Sequence, residues 1–214
     1  MSNLRTSTKL HIFIAIFTFV ILYFINLLHN NVSVLNNTWN SYINQIASRQ
    51  ILLQDVKTHF GYGGAIHNFK NYLIRKQDNY RVEADDHFNN ILSSIEYYRE
   101  IPNLSELEKE ALNNISSVTL NYQKQLAIVA RMHAEGSNIK MIDQIVRIDD
   151  APAIKAFNIL QLEYDNLTSQ SSLEIKDLGK QSYEYTVILF LLIAAFSLSF
   201  VRVITHFVRV ELRK

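Results

Sequence analysis

The residues best suited to binding chemistry lie in residues 59–75, which read HFGYGGAIHNFKNYLIR. Lys70 and Arg75 place two positive charges in this stretch, and such side chains suit an anionic ligand with a carboxylate or a phosphate group. A second interpretation pairs them with acids on neighbouring helices, and Asp149 and Asp150 are available for that role. The residue types alone leave both interpretations open.

Two of the chain's seven histidines, His59 and His67, also lie in this stretch. On one continuous helix they would share a face, with their backbones two turns or about 12 Å apart. That distance is too long for one metal ion to bind both, so a metal site would need His133 or a second chain as a further partner. We therefore predict no metal site, and His67 is either a ligand contact or a structural or surface residue.

Three of the five glycines, Gly61, Gly63 and Gly64, fall within four consecutive positions of the same stretch. Each costs about 1 kcal/mol relative to alanine inside a helix. Close packing of a neighbouring helix, backbone amides exposed to a ligand, or a local break would each account for them. We expect a distorted but continuous helix, with the glycines serving flexibility or packing.

The elements that position this stretch begin with two apolar segments. Residues 10–28 contain no charge over nineteen positions, and residues 186–201 contain none over sixteen. A membrane-spanning helix needs about 20 apolar residues, and no small-residue cleavage pattern follows the first segment, as a signal peptide would require. We predict transmembrane helices at 10–28 and 185–204.

The charge distribution predicts an orientation for these two spans. Six of the 21 basic residues lie in the flanks outside the spans or at their cytoplasmic ends, together with one of the 20 acids, which leaves a net charge of −4 between the spans. The positive-inside rule then places residues 1–9 and 205–214 in the cytoplasm, the latter as the start of a linker. Residues 29–184 would form a periplasmic domain of a bacterial inner-membrane protein.

Four amphipathic stretches lie between the spans, and apolar residues recur in them at three- and four-residue steps. Ser105 and Glu108 match a capping box at the start of the third stretch. An all-α fold follows, in which the two spans flank an elongated antiparallel four-helix bundle. The stripes are Leu35, Trp39, Tyr42, Ile46, Leu53, Val56 and Phe60; Tyr80, Ala84, Phe88, Ile91, Ile95 and Tyr98; Leu107, Ala111, Ile115, Val118, Tyr122, Leu126 and Val129; and, after a cap at Asp149–Asp150, Phe157, Leu160, Tyr164, Leu167, Ser171, Ile175, Leu178, Ser182 and Tyr185.

The runs GYGGAIHNFKNYLIR (61–75) and VRIDDAPAI (146–154), set between two spans, resemble the helical extracytoplasmic input region of certain bacterial receptors. These are some methyl-accepting chemotaxis receptors and membrane-bound diguanylate cyclases. The resemblance covers almost the whole chain and implies a homodimeric periplasmic sensor, with any output domain beyond Lys214. It implies these site residues: Tyr62, His67, Lys70, Asn71, Arg75, Asp149 and Asp150.

The sequence offers no motif of an enzyme, since it has no phosphate-binding loop, nucleophile elbow or zinc-ligand pattern. The acidic central region also speaks against nucleic-acid binding, and we predict neither a cofactor nor a metal. The leading hypothesis is a sensor that relays a helix shift through the second span, with a small anionic ligand or a periplasmic protein as its cue. The alternative is a membrane-anchored bundle that binds a partner or dimerises without sensing a small ligand.

Overall fold

The computed structural model describes residues 6–211, and every regular element among them is helical. The parts of the predicted cytoplasmic ends at residues 1–5 and 212–214 lie outside the described residues. The prediction of an all-helical chain with two long apolar helices is confirmed. The elements are α1 (Thr6–Ser41), a π-helical segment (Tyr42–Ala47), α2 (Ser48–Phe60), α3 (Ala65–Arg75), α4 (Asp78–Arg99), α5 (Glu106–Ala134), α6 (Ile139–Ile145) and α7 (Ala151–Glu211).

The chain divides into two compact units, which are described separately. Of the described residues, 6–40 and 171–211 form the first unit, and Ser41–Gln170 forms the second. Residues 29–40 and 171–184, which the sequence assigned to the periplasmic domain, thus group with the apolar parts of α1 and α7. The π-helical segment, a wider turn that the apolar spacing did not predict, lies at the start of the second unit.

The first unit contains two helical stretches long and apolar enough to cross a membrane, and neither is buried inside the protein. Aromatic rings join them: the ring centroids of Phe13 and Phe196 lie 5.4 Å apart and nearly parallel. A polar contact joins them as well, because Asn31 Nδ2 donates to Ser182 Oγ at 2.7 Å and to the Leu178 carbonyl at 3.1 Å. These contacts place α1 beside the later part of α7.

The second unit is built on an apolar core to which α2, α3, α4, α5, α6 and the first part of α7 contribute. Each large side chain buried there stabilises the fold by about 1.5–3 kcal/mol. Ring contacts connect the helices: Phe60 meets Phe157 at 5.2 Å, and Phe88 meets Tyr122 at 5.8 Å. These predicted stripe residues of α4 and α5 are buried: Ala84, Phe88, Ile91, Ile95, Tyr98, Ala111, Ile115, Val118, Tyr122, Leu126 and Val129.

Two predicted stripe residues lie on the surface instead. Leu107 is 54% exposed and Trp39 is 48% exposed. Leu107 lies in the first turn of α5, where the buried position nearby is taken by Glu108. Trp39 precedes the π-helical segment, and the wider turn there changes which face of the helix points inward downstream.

A buried ion pair lies at the start of α5. The predicted capping box is confirmed, since Glu108 N donates to Ser105 Oγ at 3.1 Å and Ser105 N donates to Glu108 Oε2 at 2.8 Å. The same carboxylate accepts hydrogen bonds from Arg49 Nε at 2.7 Å and from the Tyr98 hydroxyl at 3.1 Å. Burial, together with the adjacent Glu108 carboxylate, raises the pKa of Tyr98, so its phenol remains a donor. This network ties α2, α4 and α5 together.

The expectation of a continuous helix through the glycines is wrong, because α2 ends at Phe60 and α3 begins at Ala65. Gly63 has a φ of +80°, which favours glycine. A Cβ on Gly64 would lie 2.1 Å from the His59 carbonyl oxygen, which no side chain can tolerate. The local break that reaims the chain, one of the three accounts, is therefore present.

Candidate functional site

The break at Gly61–Gly64 brings two of the motif residues into contact at the surface. The ring centroid of Tyr62 lies 4.8 Å from that of His67, and Tyr62 is 95% exposed. His67 is half-buried in the first turn of α3. Together they form an exposed aromatic pair available to a ligand or a partner.

Lys70 lies one turn further along α3 and lines a cavity of about 600 Å³ between α3 and the α6 region. It is exposed and makes no hydrogen bond or ion pair with any described residue. Lys140 lines the same cavity, as do the apolar side chains of Ile74 and Ile139, and Asp143 is its only acid. Two ammonium groups beside apolar side chains suit an amphiphilic anion.

The other motif residues lie apart from this cavity. Arg75 Nη1 donates to the Tyr80 hydroxyl at 3.4 Å, and the guanidinium carbon lies 5.7 Å from the centre of that ring. Asn71 is half-buried on α3 and does not line the cavity. Lys70 therefore remains a candidate for direct contact with an anion, whereas Arg75 contacts the nearby ring of Tyr80.

Asp149 and Asp150 organise the start of α7 and do not pair with the cations of α3. Asp149 Oδ1 accepts from the Ala151 amide at 3.0 Å, which confirms the predicted cap. Asp150 Oδ1 accepts a hydrogen bond from the Tyr122 hydroxyl at 2.6 Å. Burial is the largest cause that raises the pKa of Tyr122, and this hydrogen bond is the second. Among the ion pairs of residues 6–211, none joins either acid to Lys70 or Arg75, so that interpretation is wrong.

A histidine pair that the sequence did not predict connects α2 to α4. Nδ1 of His59 and Nδ1 of His87 lie 2.8 Å apart, so one donates to the other. The break separates His59 from the helix of His67, so the expected shared face does not exist. His87 is half-buried, whereas its neighbours Asp85 and Asp86 are exposed. Burial, with the charge of His59, lowers the pKa of His87.

The same two helices border a groove of about 810 Å³, which we call the α2–α4 groove. The carboxylate of Asp55 lines it, accepts a short hydrogen bond from Ser94 Oγ, and lies 3.5 Å from Nε2 of His59. Within residues 6–211 no three acidic or histidine side chains are grouped so as to hold a metal ion. Sequence reasoning missed this groove because Asp55 and Ser94 are distant in the chain and belong to no motif.

Comparisons with known proteins add nothing to the functional assignment, which therefore depends on the residues described above. No family model matches the chain, and neither curated proteins nor solved structures gave a match.

Proposed function

We propose that this chain is the input portion of a bacterial transmembrane signalling receptor. The observation that carries the proposal is α7, a single helix from Ala151 to Glu211. Its first residues contribute to the core of the second unit, and its later residues form one of the two stretches apolar enough to span a membrane. One element thus reaches both a cavity-bearing helical domain and a candidate span.

The proposed topology places both termini in the cytoplasm and residues 29–184 in the periplasm, with spans at 10–28 and 185–204 of the inner membrane. The basic flanks support this orientation. The helices of the second unit would form an elongated antiparallel four-helix bundle, in which α2 and α3 together count as one of the four helices. Two copies of the chain would form a homodimer. The motif resemblance supports the dimer.

The proposed cue is a small amphiphilic anion bound in the cavity beside Lys70. Lys70 and Lys140 would supply the charge, and Ile74 and Ile139 would contact the apolar part. His67 lies about one helical turn before Lys70 on α3, and its ring partner Tyr62 lies in the break that precedes this helix. Of the seven site residues that the resemblance implies, Lys70 alone lines this cavity.

The proposed relay is a small displacement of α7 relative to α1. Packed helices have discrete arrangements more often than continuous ones, so a ligand that favours one arrangement shifts the population. The contact of Asn31 with Ser182, at 2.7 Å, reports directly on the register of α1 against α7. The rest of the chain has no cysteine, so a cysteine pair introduced there has no background.

The test is a disulfide assay on the full chain in membranes, with Asn31→Cys and Ser182→Cys. We expect hexanoate, used as the probe, to change the rate of oxidative crosslinking, and Lys70→Gln to remove the response. Hexanol, which has the same chain but no charge, is the control. A rate that hexanoate leaves unchanged would contradict the proposal and favour a membrane-anchored bundle that senses no small anion.

The topology has a separate test. Lys124 is exposed on α5, and Ser2 precedes the first apolar segment. In intact spheroplasts, a membrane-impermeant maleimide should label Lys124→Cys and should label Ser2→Cys only after lysis. The opposite pattern would invert the proposed orientation.

A further inference from the structure

The α2–α4 groove differs from the cavity beside Lys70 in place and in charge. It is bordered by α2 and α4, and none of the residues of the 61–75 motif lines it. No lysine or arginine is among its lining residues, and Asp55 supplies the only carboxylate there. An anion would meet no fixed positive charge in this groove. We propose that the α2–α4 groove binds a small organic cation, a primary ammonium with a short apolar chain.

The carboxylate of Asp55 is held in place and still accessible. Ser94 on α4 donates to its Oδ2, and Nε2 of His59 lies 3.5 Å from its Oδ1. The side chain nevertheless retains 45% exposure. A carboxylate accepts about four hydrogen bonds in total, so Asp55 keeps acceptor capacity for a ligand after these contacts are made.

Gln50, which lines the groove, carries an acceptor atom without a partner among the described residues. The side-chain oxygen Oε1 of Gln50 is buried and receives no hydrogen bond in the described chain, and Gln50 lines the groove. A buried polar atom left unpaired carries the cost of its lost hydration. A ligand with several N–H donors would relieve that cost. An ammonium group is such a ligand, since it has three donors and no acceptor.

The apolar part of the lining suits a short alkyl chain. Ile51 is 68% exposed and Tyr97 is 62% exposed, and both line the groove together with Leu52. Covering the exposed apolar surface of such side chains with a ligand is favourable because it removes that surface from water. The ring of Tyr97 also offers a face on which a cation is favoured. Charge selection at Asp55 and apolar contact around it together define the ligand class.

Cation binding in the α2–α4 groove does not depend on the proposed sensor function. A cation can bind between α2 and α4 whether or not α7 moves relative to α1, and the groove shares no lining residue with the cavity beside Lys70. A negative result in the crosslinking assay with hexanoate would therefore leave the proposed cation site untouched, and a negative result in a binding assay with an amine would leave the proposed sensor function untouched.

The test is isothermal titration of the full chain in lipid nanodiscs with three probes of matched chain length. We expect n-butylammonium to bind saturably, and n-butanol and butyrate to bind about tenfold more weakly or not at all, because only the ammonium both donates hydrogen bonds and carries a charge opposite to that of Asp55. Butyrate or butanol binding as tightly as butylammonium would overturn the proposal, as would the absence of butylammonium binding.

Variants locate the site. Asp55→Asn should weaken butylammonium binding about tenfold or more, and Glu110→Gln, the same change at an exposed acid outside the groove, should leave binding unchanged. Ser93→Trp keeps the charge but fills the groove from exposed Ser93 on α4, so it should abolish binding even if Asp55→Asn perturbs the fold. Unchanged affinity in Ser93→Trp would place the cation elsewhere and overturn the proposal.

Discussion

The buried ion pair of Arg49 and Glu108 gives the sharpest test of how the second unit is held together. The two side chains are 3% and 1% exposed, and Arg49 Nε lies 2.7 Å from Glu108 Oε1. We consider three variants: Arg49→Met, Glu108→Met and the double replacement. Methionine keeps much of the length and volume of both side chains, so the variants remove charge with little loss of packing.

The expected magnitudes follow from the hydrogen bonds of each partner. Without Arg49, the Glu108 carboxylate keeps the Tyr98 hydroxyl and the Ser105 amide but loses its only countercharge. Without Glu108, the guanidinium keeps only backbone carbonyls, among them that of Gln45 at 2.9 Å. Each single variant leaves an uncompensated buried charge and should cost about 3–5 kcal/mol of unfolding free energy.

The double variant leaves no buried charge at this position. The double variant should therefore cost less than either single variant, which makes its cost at least about 3 kcal/mol smaller than the sum of the two single costs. Chemical denaturation of the full chain in micelles, followed by far-UV circular dichroism, measures all four free energies. The exposed pair of Glu106 and Lys109 is the matched control, and its cycle should show coupling close to zero. Additive costs at Arg49 and Glu108 would refute the role assigned to the pair.

Two further predictions concern α2 and its neighbours. Because burial lowers the pKa of His87 from its ordinary 6.5, the unfolded chain binds more protons between the two pKa values. The stability that neutral His87 contributes is fully present above about pH 6.5, falls as the pH drops below that value and levels off below the folded pKa. Melting temperatures measured across this pH range should show the slope, and His87→Gln should reduce it. Equal slopes in both proteins would contradict the lowered pKa of His87. Gly64→Ala should destabilise the fold by about 1–3 kcal/mol or more, because its Cβ would overlap the His59 carbonyl. Gly179→Ala is the control, because nothing lies within 4 Å of a Cβ placed there. Thermal denaturation should show that this variant is more stable than the parent by about 0.5–1 kcal/mol. A Gly64→Ala protein as stable as the parent would disprove the overlap with the His59 carbonyl.

Much of the fold could be predicted because helical periodicity is a local property. The stripes of α4 and α5 were predicted almost residue for residue, since side chains at three- and four-residue steps share a face whatever the helix packs against. The capping box of Ser105 and Glu108 followed from spacing alone for the same reason. The glycine stretch was harder, because propensity gives a cost for each glycine but does not say whether packing compensates for it.

The site could be predicted only in part. Lys70 was identified from its charge and does line a cavity, but the other wall of that cavity comes from residues 138–143. The expected partners of Lys70 were wrong because Asp150 is taken by Tyr122 on α5. Neither the pair of His59 and His87 nor the carboxylate of Asp55 beside Ser94 had a signal in the sequence.

By itself, the sequence determined the helical class, the two long apolar segments and the ends of several helices. These depend on composition and on contacts within a few residues. Only the tertiary structure decided where the chain breaks, which acid receives Arg49, and which polar side chains face one another across α2 and α4. Those outcomes depend on which helices become neighbours, and that choice is made by burial summed over the whole core rather than by any short stretch of residues.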